Sequence, residues 1–225
     1  MALDSSIIVG FLITSLSISL TRAYTKKTPH LPDPAIDLPA SAGSQTAVFA
    51  GGCFWCTEAV FEQLHGVTKV ISGYAGGSAE SAHYSLVSGG GTNHAESIEI
   101  TYDPSKISYG RLLQAFFSVA HDPTQLNRQG PDRGYQYRSV IYYTSEEQRR
   151  TAEAYVQQLR QAKSFSEPIV TKIEQLPVFY PGEENHQDYV KKNPYDPYVI
   201  VNAAPKLKKL KETFPGWITS NQAVR

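Results

Sequence analysis

Sulfur is scarce in this chain: 225 residues contain two cysteines, Cys53 and Cys56, and a single methionine. Two cysteines three positions apart cannot staple a disulfide scaffold, which needs several pairs and usually a shorter chain. A structural zinc site would need two further ligands at matching spacing. No second cysteine pair exists, and the six histidines (His30, His65, His83, His94, His121, His186) are scattered, so no metal and no cofactor is expected. An excess of charge of either sign is lacking as well. The chain has 21 basic and 21 acidic residues, which argues against a nucleic-acid groove or a polyanionic partner.

Long hydrophobic runs are also few. The one that stands out is residues 6–20 (SIIVGFLITSLSISL), about 15 residues where a membrane span needs about 20. It has the length of a signal-peptide apolar region, but Asp4 precedes it and no Lys or Arg does. Arg22, Lys26 and Lys27 follow it, which favours an uncleaved anchor with the main domain on the cytoplasmic side. Residues 1–24 are therefore read as a signal or anchor segment, implying a membrane-anchored or exported protein, with an unstructured leader on a cytoplasmic protein as the alternative. Residues 25–44 (TKKTPHLPDPAIDLPASAGS) are rich in Pro, Ser and Ala without any period and read as an extended linker. A catalytic domain is expected over residues 45–200. The lysine-rich residues 201–225 read as a basic, solvated tail.

What the domain does contain is alternating pattern. Residues 46–50 form a short β-prone run ending at Gly51-Gly52, and a helix is expected over 54–64, with Phe54, Val60, Phe61 and Leu64 at helical spacing. Strands are expected at 67–74 and 96–102, a packed helix at 109–120, and a strand apolar on both faces at 137–143. Ser145 and Gln148 suggest a capping box opening a helix that runs to about residue 162. A strand at 168–175 and a short helix at 183–192 follow. This order predicts an α+β fold, a mixed sheet with packed helices forming a split-βαβ (ferredoxin-like) sandwich. The polar stretch 122–136 is too long for a simple connector and is a candidate site loop.

Cys53 lies where a strand turns into a helix. Free N–H groups and the positive end of the helix dipole favour its thiolate, the nucleophilic form. A second cysteine one turn on makes CFWC, the spacing of thiol–disulfide exchange. A general dithiol oxidoreductase, a thiol peroxidase or a non-catalytic redox sensor would all fit that much. Phe54 and Trp55 between the cysteines are large aromatics that could wall a pocket for an apolar substrate group. Glu96 shares a strand face with Ile98, Ile100 and Tyr102. A carboxyl on such a face is desolvated, keeps its proton and can donate it.

The blocks Gly51–Trp55, Gly73–Gly77, His94-Ala95-Glu96, Tyr137-Arg138-Ser139 and residues 180–194 (YPGEENHQDYVKKNP), in this order and spacing, resemble the peptide methionine sulfoxide reductases of the A class. The resemblance implies reduction of the S epimer of methionine sulfoxide, free or in oxidised proteins, with Cys53 as nucleophile and Glu96 as acid. It further implies Tyr84 and Tyr137 as hydrogen-bond donors to the sulfoxide oxygen, Asp132 as a residue that helps hold the site, and Phe54 and Trp55 as the pocket for the S-methyl group. His186 and Asp188 lie in a matching block without an assigned role. Many relatives carry a resolving cysteine near the C-terminus, and this chain has none after Cys56. Cys56, the only other thiol, is thus expected to resolve the Cys53 sulfenic acid, with a thioredoxin-type electron donor re-reducing the disulfide of a monomeric enzyme.

Overall fold

The computed structural model describes residues 30–219. Residues 1–24, including the apolar run, lie outside them. Strand β1 (Gln45–Gly51) leads into helix α1 (Phe54–Phe61), then β2 (Val67–Ala75), the one-turn helix α2 (Tyr84–Val87), β3 (Ala95–Tyr102) and α3 (Tyr109–Ala115). A small hairpin of β4 (Arg128–Gln129) and β5 (Asp132–Arg133) precedes β6 (Ser139–Tyr143) and the long helix α4 (Glu146–Gln161). The chain closes with β7 (Lys172–Gln175), β8 (Phe179–Pro181), α5 (Tyr189–Lys192) and α6 (Ala204–Thr213).

The main sheet runs β7-β6-β1-β3-β2-β8. β3 lies antiparallel between β1 and β2, and β6 antiparallel on the outer side of β1. This is the expected split-βαβ arrangement, and the parallel pairing of β6 with β7 makes the sheet mixed. One face packs against helices through Phe49, Ile98, Ile100, Ile141, Phe116 and Leu159. The opposite face carries a smaller cluster of Val48, Ala50, Ala75, Ala95, Val140 and Tyr142. β6 thus sends Ile141 to one side and Val140 and Tyr142 to the other, as a strand apolar on both faces must. α4 begins where the sequence places it. Ser145 caps it by accepting from the Gln148 N–H at 3.2 Å. The Gln148 side chain, however, reaches the Thr144 N–H (2.9 Å) and Thr46 carbonyl (2.7 Å), stitching the helix to β1 instead of completing the capping box.

Several elements differ from their sequence-based expectation. The helix expected over 54–64 ends at Phe61, and Leu64 instead forms a bridge to Ile218. The helix expected over 109–120 is α3 followed by a wider π-type turn, Phe116–Ala120. Tyr137 closes a 3₁₀ turn, Tyr135–Tyr137, rather than opening β6. The strand expected over 168–175 is confined to β7, and the helix expected over 183–192 is interrupted by Asp188 in the left-handed region (φ 54°).

Two segments expected to be solvated are packed. In the lysine-rich tail, Leu207, Leu210 and Phe214 recur at three- and four-residue spacing, and Leu210 and Phe214 are buried. In the Pro-rich linker, Leu31 is buried and the extended backbone is fastened by side chains of the domain. Gln114 donates to the Leu31 carbonyl (2.9 Å), Tyr155 to the Pro32 carbonyl (3.0 Å), and the Gly110 N–H to Asp37 Oδ1 (2.7 Å). An aperiodic polar segment gives no sign of this, because it docks mainly through its own backbone carbonyls and the carboxylates of Asp33 and Asp37, not through an apolar stripe. Deleting the chain through Ala40 should therefore cost on the order of 3 kcal/mol, from one buried leucine and several hydrogen bonds. Chemical denaturation checks this; an unchanged midpoint would show the segment to be dispensable.

Candidate active site

Gly52 creates the turn that presents Cys53. Its φ is +88°, and a Cβ there would lie 2.3 Å from the Gln129 side chain, so only glycine permits the turn and the close packing of the 122–136 loop. Gln129 in turn holds that loop, bonding both the N–H (3.0 Å) and the carbonyl (2.8 Å) of Asp122. Cys53 occupies the N-cap position of α1, and Cys56 lies within its first turn, its N–H donating to the Cys53 carbonyl at 3.2 Å. Both thiols are free and buried among Ala59, Val199 and Ala203.

Two effects act on Cys53 in opposite senses: the start of α1 favours its thiolate, and burial opposes it. Burial, with the adjacent Cys56 adding to it, pushes the Cys53 thiol well above its usual range. Cys56 is lowered, first by the hydrogen bond from Cys53 and more weakly by the charge of Lys206.

Glu96, on β3, is 2% exposed, and its Oε2 accepts from the Phe54 N–H at 3.0 Å. Burial, then proximity to Cys53, raises its carboxyl well above the ordinary range. One oxygen is engaged by the start of α1, so the other is left to carry the proton. Tyr84, at the start of α2, and Tyr137, at the end of its 3₁₀ turn, both feel Glu96, Cys53 and Asp132, and burial first of all pushes Tyr84 up to about 12 and Tyr137 still higher. These phenols are neutral donors at any physiological pH. Asp132, on β5, accepts a 2.5 Å hydrogen bond from the Tyr198 hydroxyl. The structure thus assembles Cys53, Cys56, Glu96, Tyr84, Asp132 and Tyr137 around one point.

The walls are aromatic. Phe54 lies against Tyr84 (6.2 Å, 17°) and Tyr74 (5.8 Å). Trp55 stacks on Tyr189 (3.8 Å, 10°), and Tyr84 packs on His186 (4.0 Å). Two contributors escaped sequence reasoning. Tyr198, in the tail side of the chain, donates its hydroxyl proton to Asp132 and lies beside both cysteines, lowering the pKa of each. Tyr189 backs the tryptophan. The signal for both was thin: tyrosines in a run rich in charged and polar residues, with no strand or helix period to aim them. Among the described residues no group of His, Cys, Asp and Glu is arranged to hold a metal ion.

A buried thiol, a buried carboxyl whose pKa is raised by desolvation and two phenols beside an aromatic wall are the groups that a thiol-based reductase needs: a sulfur nucleophile and proton donors for a departing oxygen. The peptide methionine sulfoxide reductase family model matches residues 45–217. The chain is 53% identical over 188 residues to peptide methionine sulfoxide reductase MsrA 2 of Synechocystis sp., covering 82% of this chain and 88% of that one. It is 53% identical over 180 residues to the MsrA 2 protein of Mesorhizobium japonicum, covering 80% and 92%. Among solved structures, it resembles methionine sulfoxide reductase A of Corynebacterium diphtheriae (TM-score 0.60, 35% identity, 72% of this chain and 81% of that one). It also resembles reduced Mxr1 of Saccharomyces cerevisiae (TM-score 0.63, 31% identity, 72% and 92%). The chain belongs to the A-class peptide methionine sulfoxide reductases.

Proposed function

We propose that this enzyme reduces methionine-S-sulfoxide through Cys53, with Glu96 as the acid and Cys56 as the resolving thiol. The observation that carries the reading is the buried Glu96 carboxyl, hydrogen-bonded to the first turn of α1 beside the nucleophile. The substrate's S-methyl group enters the wall made by Phe54 and Trp55, and its oxygen points to Glu96, Tyr84 and Tyr137. Asp132 fixes the Tyr198 hydroxyl against the two sulfurs.

As Cys53 attacks the sulfoxide sulfur, its proton passes along the hydrogen bond to Cys56. Glu96 protonates the oxygen, methionine leaves, and the hydroxyl remains on Cys53 as a sulfenic acid. The Cys56 sulfur then attacks Cys53, forming the disulfide and releasing water. A bond between residues three apart closes a very short ring, which favours its reduction by a thioredoxin-type dithiol.

Single-turnover assays on separate S and R epimers test this reading in the Cys56→Ser variant. It should release about one equivalent of methionine from the S epimer alone, accumulate a dimedone-reactive sulfenic acid, and fail to cycle with thioredoxin. Thioredoxin-driven turnover at the wild-type rate would remove Cys56 from the mechanism. Equal consumption of both epimers would remove the pocket assignment.

A further inference from the structure

We infer that Glu183 is a positioning residue for the reaction, acting through Tyr84; this rests on the proposed role of Tyr84 as a ligand of the sulfoxide oxygen. α2 is a single turn, and its N-cap residue, His83, provides no side-chain cap. The first free N–H of such a turn needs an acceptor from elsewhere. That acceptor is Glu183, 99 residues away, whose Oε1 takes the Tyr84 N–H at 2.8 Å. The other carboxylate oxygen, Oε2, accepts from the Tyr74 hydroxyl at 2.7 Å. Tyr74 is itself fully buried on β2 and packs against Phe54. The carboxylate thus clamps the start of α2 to the sheet at the residue whose phenol enters the site.

The arrangement is specific to a carboxylate of this length. Two donors approach two different oxygens, so both must be acceptors. The hydrogen bonds from Tyr74 and Tyr84 hold the Glu183 carboxyl below its usual range, against the opposing effect of partial burial. It therefore stays an acceptor throughout the neutral range. A glutamine keeps one acceptor oxygen and turns the other position into a donor. An alanine removes both. Without the clamp, Tyr84 keeps ring packing on Phe54, Trp55 and His186 and the bond from the Ser88 N–H to its carbonyl (2.8 Å), none of which ties the start of α2 to the sheet; misplacing one donor in a preorganised site costs rate far out of proportion to the movement.

The test is a double-mutant cycle on methionine-S-sulfoxide reduction with dithiothreitol. Glu183→Ala should lower kcat roughly tenfold and Glu183→Gln by a smaller factor, with the rate of Cys53 alkylation by iodoacetamide unchanged in both. Tyr84→Phe should lower kcat as well, and adding Glu183→Ala to Tyr84→Phe should slow it further by less than about twofold, because the group being positioned is already gone. An undiminished loss in the Tyr84→Phe background, or slowed alkylation of Cys53, would make Glu183 a general structural residue and overturn the inference. A slow Tyr84→Phe enzyme beside a Glu183→Ala enzyme at wild-type kcat would overturn the inference alone. A Tyr84→Phe enzyme at wild-type kcat would overturn the role of Tyr84 and the inference with it. Glu183→Gln, which preserves length and shape, keeps the cycle readable if the alanine variant folds poorly.

Discussion

Replacement of Cys53 by serine is expected to abolish methionine release, to below about a thousandth of the wild-type single-turnover rate. Two separate losses combine. Burial already pushes the Cys53 thiol well up, and the same desolvation acts on a hydroxyl whose ordinary pKa is far higher, so no useful fraction of alkoxide forms. The second loss is in the product. Sulfur accepts the departing hydroxyl to give a sulfenic acid, whereas a serine oxygen would have to become a hydroperoxide. The substitution leaves the α1 backbone and its bond to Glu96 in place, so the variant should remain folded. Methionine release followed over one turnover is the measurement, and retention of about a tenth of the rate would remove Cys53 as nucleophile.

Glu96→Gln carries the second-largest effect, a loss on the order of 10²–10⁴ in kcat with little change in substrate affinity. Glutamine keeps an oxygen for the Phe54 N–H but has no proton to deliver. In the wild type, activity should fall as pH rises through the elevated Glu96 pKa, because the acid is then spent; the variant should lack that limb. The substitution acts on stability in the opposite sense to its effect on activity. The folded state keeps on Glu96 a proton that the unfolded chain, with its carboxyl near 4.5, has released, so folding is penalised as pH rises from that value toward the folded pKa. Glutamine removes the penalty. Near pH 7 the variant should thus melt above the wild type, and the two should converge near pH 4. A slow variant that melts below the wild type at neutral pH would mean that Glu96 is ionised and paired, not a protonated acid.

Much of this site was legible in the sequence because its members lie on periodic elements or at glycine-marked turns. The period of two in residues 96–102 aimed Glu96 inward, and the structure buries Glu96, Ile98, Ile100 and Tyr102 together. Gly51-Gly52 announced the turn at Cys53. The ionisation of Cys53 was not legible, because it is set by how completely Val199, Ala203 and the facing aromatic residues exclude water, a property of distant chain segments. Tyr198 and Glu183 were missed for a related reason: each acts across a long sequence separation, from a loop without periodicity. The apolar stripe of α6 was readable in principle, at Leu207, Leu210 and Phe214, but is masked by the lysines between them.

The docked segment at residues 31–38 and the end of α6 also bear on chain topology. The His30 ring meets the Phe214 ring edge-on at 5.0 Å, so the segment that precedes β1 meets the residue that ends α6. In a chain trimmed to begin at His30 and to end just after Phe214, a short Gly/Ser bridge would restrict the denatured chain far more than the native one. New ends could then be opened in the exposed turn at residues 162–167, between α4 and β7 and away from β1 and β3, giving a circularly permuted reductase.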